Sequence, residues 1–197
     1  MPWTIGIVMK EWPVRVMNKF APLLLPAVCL VSSCDTATPE NYFDRAVLNC
    51  NLMNGFAGNG MARNLESPSV KLADPGGSRT VAMTRKEVID GQILSLEEAY
   101  GKVKKLRQTD ETKAMLQASL AVYEYVLPVY KDEYQQLARL YDGGAEKKEI
   151  EALSQTITAK YAAGFQSRME SLTMIAKPYA ERHGIQVKWD VKTSPSL

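Results

Sequence analysis

Apolar side chains recur along this chain with the spacing of helices, most regularly between positions 116 and 141. Leu116, Leu120, Tyr123, Leu127, Tyr130, Tyr134, Leu137 and Tyr141 alternate steps of four and three, the stripe of a long α-helix packed against another helix. Val122, Tyr125, Val126 and Val129 lie off that stripe, so the rod is apolar on most sides and needs cover on most sides. This is the pattern of the central member of a bundle. Thr109 or Asp110 is its expected cap, and Asp142-Gly143-Gly144 its expected end. Pro128 cannot donate to the Glu124 carbonyl and is expected to bend it.

Two further long helices flank it in sequence. Thr84-Arg85-Lys86-Glu87 reads as a capping box, and Ile89, Ile93, Leu96, Tyr100 and Val103 carry the helix behind it to about Gln108. Lys102, Lys104, Lys105 and Arg107 crowd its end, where cations offset the helix dipole; contact with anionic lipid is the alternative. The last helix is expected over residues 145–183, its apolar positions from Ile150 to Tyr179 spaced by about 3.6 residues. Pro178 should distort its final turns, and Gly184 is the expected C-cap.

A shorter leading helix is expected from the Thr38-Pro39 cap to about Asn54, with Phe43, Val47 and Cys50 inward. Between it and Thr84 the pattern dissolves into glycines and prolines. Residues 55–83 therefore read as an irregular loop, broken by a short helix near 61–65. Alternatively, Gly55, Ala57, Gly58 and Gly60 let the leading helix continue close against a neighbour. At the other end Ile185, Val187, Trp189 and Val191 alternate with Gln186, Lys188, Asp190 and Lys192, a strand-like period. With no partner strand in view, this segment is expected to lie along the helices or to add to a partner's sheet edge. The predicted fold is all-α: an antiparallel helical bundle of three long helices plus a shorter N-terminal helix, with an extended C-terminal tail. The bundle spans residues 39–184 and the tail residues 185–197.

The first 33 residues read as an address. Lys19 precedes an apolar run over residues 20–31, interrupted by Pro22 and Pro26, and Ser32 and Ser33 follow. That run is shorter than the roughly 20 apolar residues a bilayer span needs. Val31-Ser32-Ser33-Cys34 resembles the lipobox of bacterial lipoproteins, an aliphatic residue and two small ones before cysteine. The resemblance covers residues 17–34 and implies that Cys34 receives a diacylglycerol, that the signal is cleaved just before it, and that the new amino group is acylated. Several acyl chains, at about 0.8 kcal/mol per buried CH₂, anchor far more firmly than a single one. Met17 is the expected true start, because the stretch before it is long for a basic leader and contains Glu11. Residues 34–38 would tether the domain close to the membrane, facing the periplasm. Asp35 resembles the residue that retains such proteins in the inner membrane.

Charge and cysteine content fit that address. Of 24 basic and 22 acidic side chains, Lys10, Arg15, Lys19 and Glu11 precede Cys34, which leaves 21 of each sign behind it. A neutral body gives no long-range attraction for nucleic acid. With Cys29 in the signal and Cys34 lipidated, Cys50 stands alone, so no disulfide framework forms within one chain. Its place on an apolar face reads as a buried thiol.

Constellations for chemistry are sparse. His183 is the single histidine, and neither a Glu-x-x-His pair for a di-iron bundle nor a P-loop or nucleophile-elbow pattern occurs. Glu97 and Glu98 are adjacent and point apart on a helix. The unusual feature is aromatic. Tyr123, Tyr130, Tyr134 and Tyr141 share one face of the central helix, Tyr161 and Tyr179 are placed to meet them, and Trp189 marks the tail. These residues are the candidate partner or ligand face. The reading is a non-enzymatic interaction or scaffold module of the cell envelope, with no cofactor or metal, held to the membrane through the Cys34 lipid. Its expected partner is an envelope protein, and oligomers are allowed. The alternative is a carrier or sensor of small hydrophobic ligands with a Tyr-lined slot.

Overall fold

The computed structural model describes residues 5–7 and 37–189, a mostly helical chain with little sheet. Cys34 and the apolar run before it lie outside the described residues, as do positions 190–197. Thr38 caps α1 (Pro39–Ala46), its hydroxyl accepting the Asn41 N–H at 3.3 Å. At Val47 the helix tightens into a 3₁₀ segment (Leu48–Met53). Phe43, Val47 and Cys50 all point into the core, each no more than 1% exposed.

About half of the segment expected to be irregular is ordered into elements. Helix α2 (Asn59–Glu66) includes the short helix expected near 61–65 and extends beyond it at both ends. Strands β2 (Val70–Leu72) and β3 (Thr80–Ala82) then form an antiparallel hairpin, Val70 opposite Ala82 and Leu72 opposite Thr80. Both strands are exposed along their whole length, so no buried face imprints the period-two pattern by which strands are recognised. At the tip Gly77 N–H donates to the Asp74 carbonyl at 3.1 Å, with Pro75 second and Gly76 third at φ 79°. That is a type II turn, which needs a residue of positive φ at its third position.

Helix α3 (Arg85–Lys104) opens with the expected capping box: Glu87 N–H donates to the Thr84 hydroxyl at 3.2 Å, and the Glu87 carboxylate accepts the Thr84 N–H at 2.9 Å. A second carboxylate arrives from a distant element, because Asp142 accepts the N–H groups of Arg85 and Lys86, both at 2.9 Å. A negative group against free N–H groups at a helix start is favourable through both hydrogen bonding and the dipole.

Helix α4 (Lys113–Val129) begins later than either predicted cap. Thr109 and Thr112 bond each other's backbone N–H at 3.0 and 3.2 Å, so both hydroxyls are used in the turn before the helix. The disturbance expected from Pro128 takes a specific form. The α-ladder passes through the proline and gives way to a π-helical turn (Tyr130–Tyr134), after which α5 (Gln135–Asp142) resumes. A π turn accommodates one extra residue. Gly144, at φ 69°, ends α5 with Ala145 N–H donating to the Leu140 carbonyl at 3.0 Å, the Schellman closure.

Helix α6 (Lys147–Arg182) runs unbroken through Pro178. The proline is exposed, so water can satisfy the carbonyl it leaves open. Gly184 terminates α6 as expected, at φ 65° with Ile185 N–H on the Ala180 carbonyl at 2.9 Å. Helix α4 packs against α3 and α6, and the stripe is buried except at the half-buried Leu120 and Tyr141. Leu116, Tyr123, Leu127, Tyr130, Tyr134 and Leu137 are at most 8% exposed, as are the off-stripe Val122, Val126 and Val129.

The C-terminal strand β4 (Val187–Trp189) does have a partner, contrary to expectation. It pairs antiparallel with β1 (Ile5–Ile7), Ile5 opposite Trp189 and Ile7 opposite Val187. Three residues ahead of Lys10 are too short a run to announce a strand, and they fell within the stretch read as a leader.

Candidate functional site

Four of the five aromatic candidates come from the central helix, and the structure separates them into three environments. Tyr130 and Tyr134 lie on the π turn with their rings stacked, centroids 4.8 Å apart and planes 30° apart. Tyr123 stands a turn and more away and meets Tyr100 instead, at 6.0 Å. Tyr141 is half-buried at the end of α5 under the Arg85 guanidinium, 5.8 Å from its ring centre. Trp189 is remote from all of these, its ring edge-on to Phe43 at 5.9 Å and 84°.

The hub of the aromatic cluster is a residue the sequence reading passed over. Phe56 contacts Tyr125, Tyr130, Tyr134 and Phe165 with centroid separations of 6.5, 5.7, 6.0 and 5.0 Å. It sits in the glycine-rich stretch, where no period singles out one apolar residue. Its neighbours hold it in place. Ala57, at φ 47°, donates its N–H to the Tyr134 hydroxyl at 2.8 Å. Gly55 and Gly60 meet backbone to backbone, so that a Cβ on Gly60 would stand 2.7 Å from the Gly55 Cα. This is the close approach the small-residue string allowed, made within a tight turn rather than along a continuing helix.

Tyr161 meets Tyr125, off the predicted stripe, at 6.1 Å, and its hydroxyl donates to the Glu133 carboxylate at 2.9 Å. Tyr125 in turn donates to the Tyr161 carbonyl at 3.3 Å and lies under the Arg168 guanidinium at 4.0 Å. Tyr179 does not join them. It packs on His183 at 4.5 Å and donates to the Pro39 carbonyl at 3.4 Å, at the end of the molecule where α1 begins. There His183 and Arg182 both reach Glu111, at 2.8 and 3.3 Å; the contact with the histidine, first of all, holds the Glu111 carboxyl below its usual range.

Burial decides the electrostatics of the interior. Tyr123 and Tyr130 are fully buried, and desolvation pushes both phenols above their ordinary range. Tyr134 is pushed up to about 12 by burial, opposed by the hydrogen bond from Ala57. Burial likewise raises the Cys50 thiol to about 12, while the neighbouring Ser119 and Tyr123 hydroxyls draw it back in part. A thiol in that state is protonated at neutral pH and a poor nucleophile; it donates to the Ala46 carbonyl at 3.5 Å. The Ser119, Tyr123 and Tyr130 hydroxyls are buried without a geometrically sound hydrogen bond, the state buried polar groups usually avoid.

The interior tyrosines are therefore structural rings in this conformation, while Tyr141 and Trp189 keep part of their surface in solvent. Other apolar side chains are more exposed than either: Met174 at 69%, Val70 and Leu72 on the hairpin at 62% and 55%, and Leu94 at 59%. Among the described residues no group of His, Cys, Asp and Glu could hold a metal ion, and no helix is long and apolar enough to cross a membrane. No family model matches the chain, and neither a curated protein nor a solved structure matches it.

Proposed function

We propose that this chain is a lipid-anchored, periplasm-facing interaction module of the bacterial cell envelope, non-enzymatic and built as an antiparallel bundle of its three long helices. The observation that carries the reading is the lipobox-like Val31-Ser32-Ser33-Cys34 at the end of a signal-like apolar run, four residues before the Thr38 cap of α1. Two contacts support the antiparallel arrangement. Glu111, ahead of α4, meets Arg182 and His183 at the end of α6, while Asp142, at the end of α5, caps the start of α3. The partner-facing surfaces are the exposed hairpin with Val70 and Leu72, Tyr141, and Trp189 with its strand. Asp35 favours the inner membrane.

Radiolabelled palmitate tests the anchor. Label is expected on the wild-type chain and absent from Cys34→Ser, with the mature product beginning at Cys34. An unlabelled wild type, or label that survives the substitution, overturns it.

One observation favours a second reading, the carrier or sensor of a small ligand. The Tyr130 hydroxyl is buried without a partner, and those of Ser119 and Tyr123 have only the Cys50 thiol beside them; polar groups of a bound molecule would satisfy them. A ligand that binds there loses affinity on Tyr130→Phe, whereas a binding-neutral substitution removes the reading.

A further inference from the structure

We propose that in the processed protein the edge of β4 accepts an extended, antiparallel strand from an envelope protein, with an apolar–small or acidic–apolar pattern. This rests on the lipoprotein reading. In the full-length chain the edge is occupied by β1, register Ile5 to Trp189, Gly6 to Lys188 and Ile7 to Val187. That occupant lies upstream of Cys34. While the apolar run of residues 20–31 is inserted as a signal, Ile5–Ile7 is on the opposite side of the bilayer from β4. Cleavage before Cys34 then removes it, and a chain that starts at Met17 never carries it. Pairing of β1 with β4 and lipidation of Cys34 are thus mutually exclusive, and among the described residues the lipidated chain has no strand on the β4 edge.

The structure also says what fits there. Val187 and Trp189 are half-buried and Lys188 is exposed, with Trp189 seated on the buried Phe43 of α1. Directly opposed residues of an antiparallel pair share a face. An incoming strand must therefore bring apolar residues to the register positions opposite Trp189 and Val187, the positions that Ile5 and Ile7 take. Opposite Lys188 it needs a residue that does not repel a cation. A second copy of β4 paired about its centre would set Lys188 against Lys188, and like charges directly opposed are destabilising. The edge is thus suited to a different chain rather than to its own copy. An unpaired edge of this kind is a template for strand addition.

The experiment uses the processed protein extracted from membranes in detergent, its mass measured first. Backbone amide exchange at residues 187–189 is then followed with and without a synthetic peptide of residues 4–9, Thr-Ile-Gly-Ile-Val-Met. Exchange should slow by about tenfold or more at saturating peptide, and at lower concentration of a Gly6→Glu peptide. A peptide with Ile5→Pro and Ile7→Pro should have no effect, since it cannot form the ladder. Equal effects of the ladder-forming and proline peptides, or none from either, overturn the proposal. So does protection without peptide: if it rises with protein concentration, the edge belongs to a second copy. If it is independent of concentration, the chain's own residues cover it. A mass that retains residues ahead of Cys34 overturns the lipoprotein reading itself, which separates the two failures.

Discussion

The hydroxyl of Tyr134 accepts the backbone N–H of Ala57 at 2.8 Å, joining the π turn of the central rod to the glycine-rich turn that presents Phe56. Tyr134→Phe would keep the ring stacking and leave a buried N–H unsatisfied. The expected loss is about 1–3 kcal/mol, read as a lower denaturant midpoint with an unchanged m value. An unaltered midpoint would mean that the turn finds another acceptor.

Gly60 sits in the first turn of α2, where alanine would ordinarily gain up to about 1 kcal/mol over glycine. Here sterics oppose propensity: the new Cβ would meet the Gly55 Cα at 2.7 Å, and neither backbone can swing away as a side chain does. Overpacking of roughly 1–3 kcal/mol should win. Gly60→Ala is expected to lower the thermal midpoint and to loosen the Phe56 cluster, visible as faster amide exchange at Ala57.

Two substitutions at Tyr130 separate its ring from its hydroxyl. The ring is fully buried, so Tyr130→Ala should cost about 3–5 kcal/mol. The hydroxyl has no partner, so Tyr130→Phe should be neutral or stabilising, since removing an unsatisfied polar group relieves its desolvation. Urea unfolding of both variants checks this pair of outcomes. A clear loss with phenylalanine would point to a water or ligand on that hydroxyl.

Alkaline pH should destabilise the fold, beginning at Cys50. Its thiol ionises near 9.0 when unperturbed and near 12 in the folded chain. Below pH 9 both states hold the proton and stability is unaffected. Between 9 and 12 the unfolded chain has released it and the native chain has not, so stability falls by at most about 1.4 kcal/mol per pH unit from this group. Tyr134 and Tyr179, pushed up to about 12 in the same sense, join in once unfolded phenols ionise near 10. Unfolding followed from pH 8 to 10.5 should show the decline, with a shallower onset in Cys50→Ala.

The long helices were legible because each buries one continuous stripe, which writes the 3.6-residue period into the sequence, and because Thr84, Gly144 and Gly184 mark their ends with local chemistry. The hairpin was not, since Val70, Leu72 and Val81 are exposed and no burial enforces an alternation. Phe56 escaped notice for the opposite reason: it is buried by distant elements, and nothing within a few residues of it carries that information. The pairing of Ile5–Ile7 with Val187–Trp189 joins opposite ends of the chain, a contact that no local pattern encodes. Asp142 was legible as a helix end, whereas its role as a cap for α3 follows only from tertiary packing.

Tyr130–Tyr134 also sets the azimuth of everything behind it. In an α-helix each residue advances about 100° around the axis, so the same residues wound as an ordinary ladder, without this wide turn, would rotate α5 by a little over a quarter of a revolution. Leu137 would leave its buried seat and Asp142 would swing off the start of α3. The irregular turn thus works as a phase adjuster, aligning two halves of one rod with two different sets of neighbours.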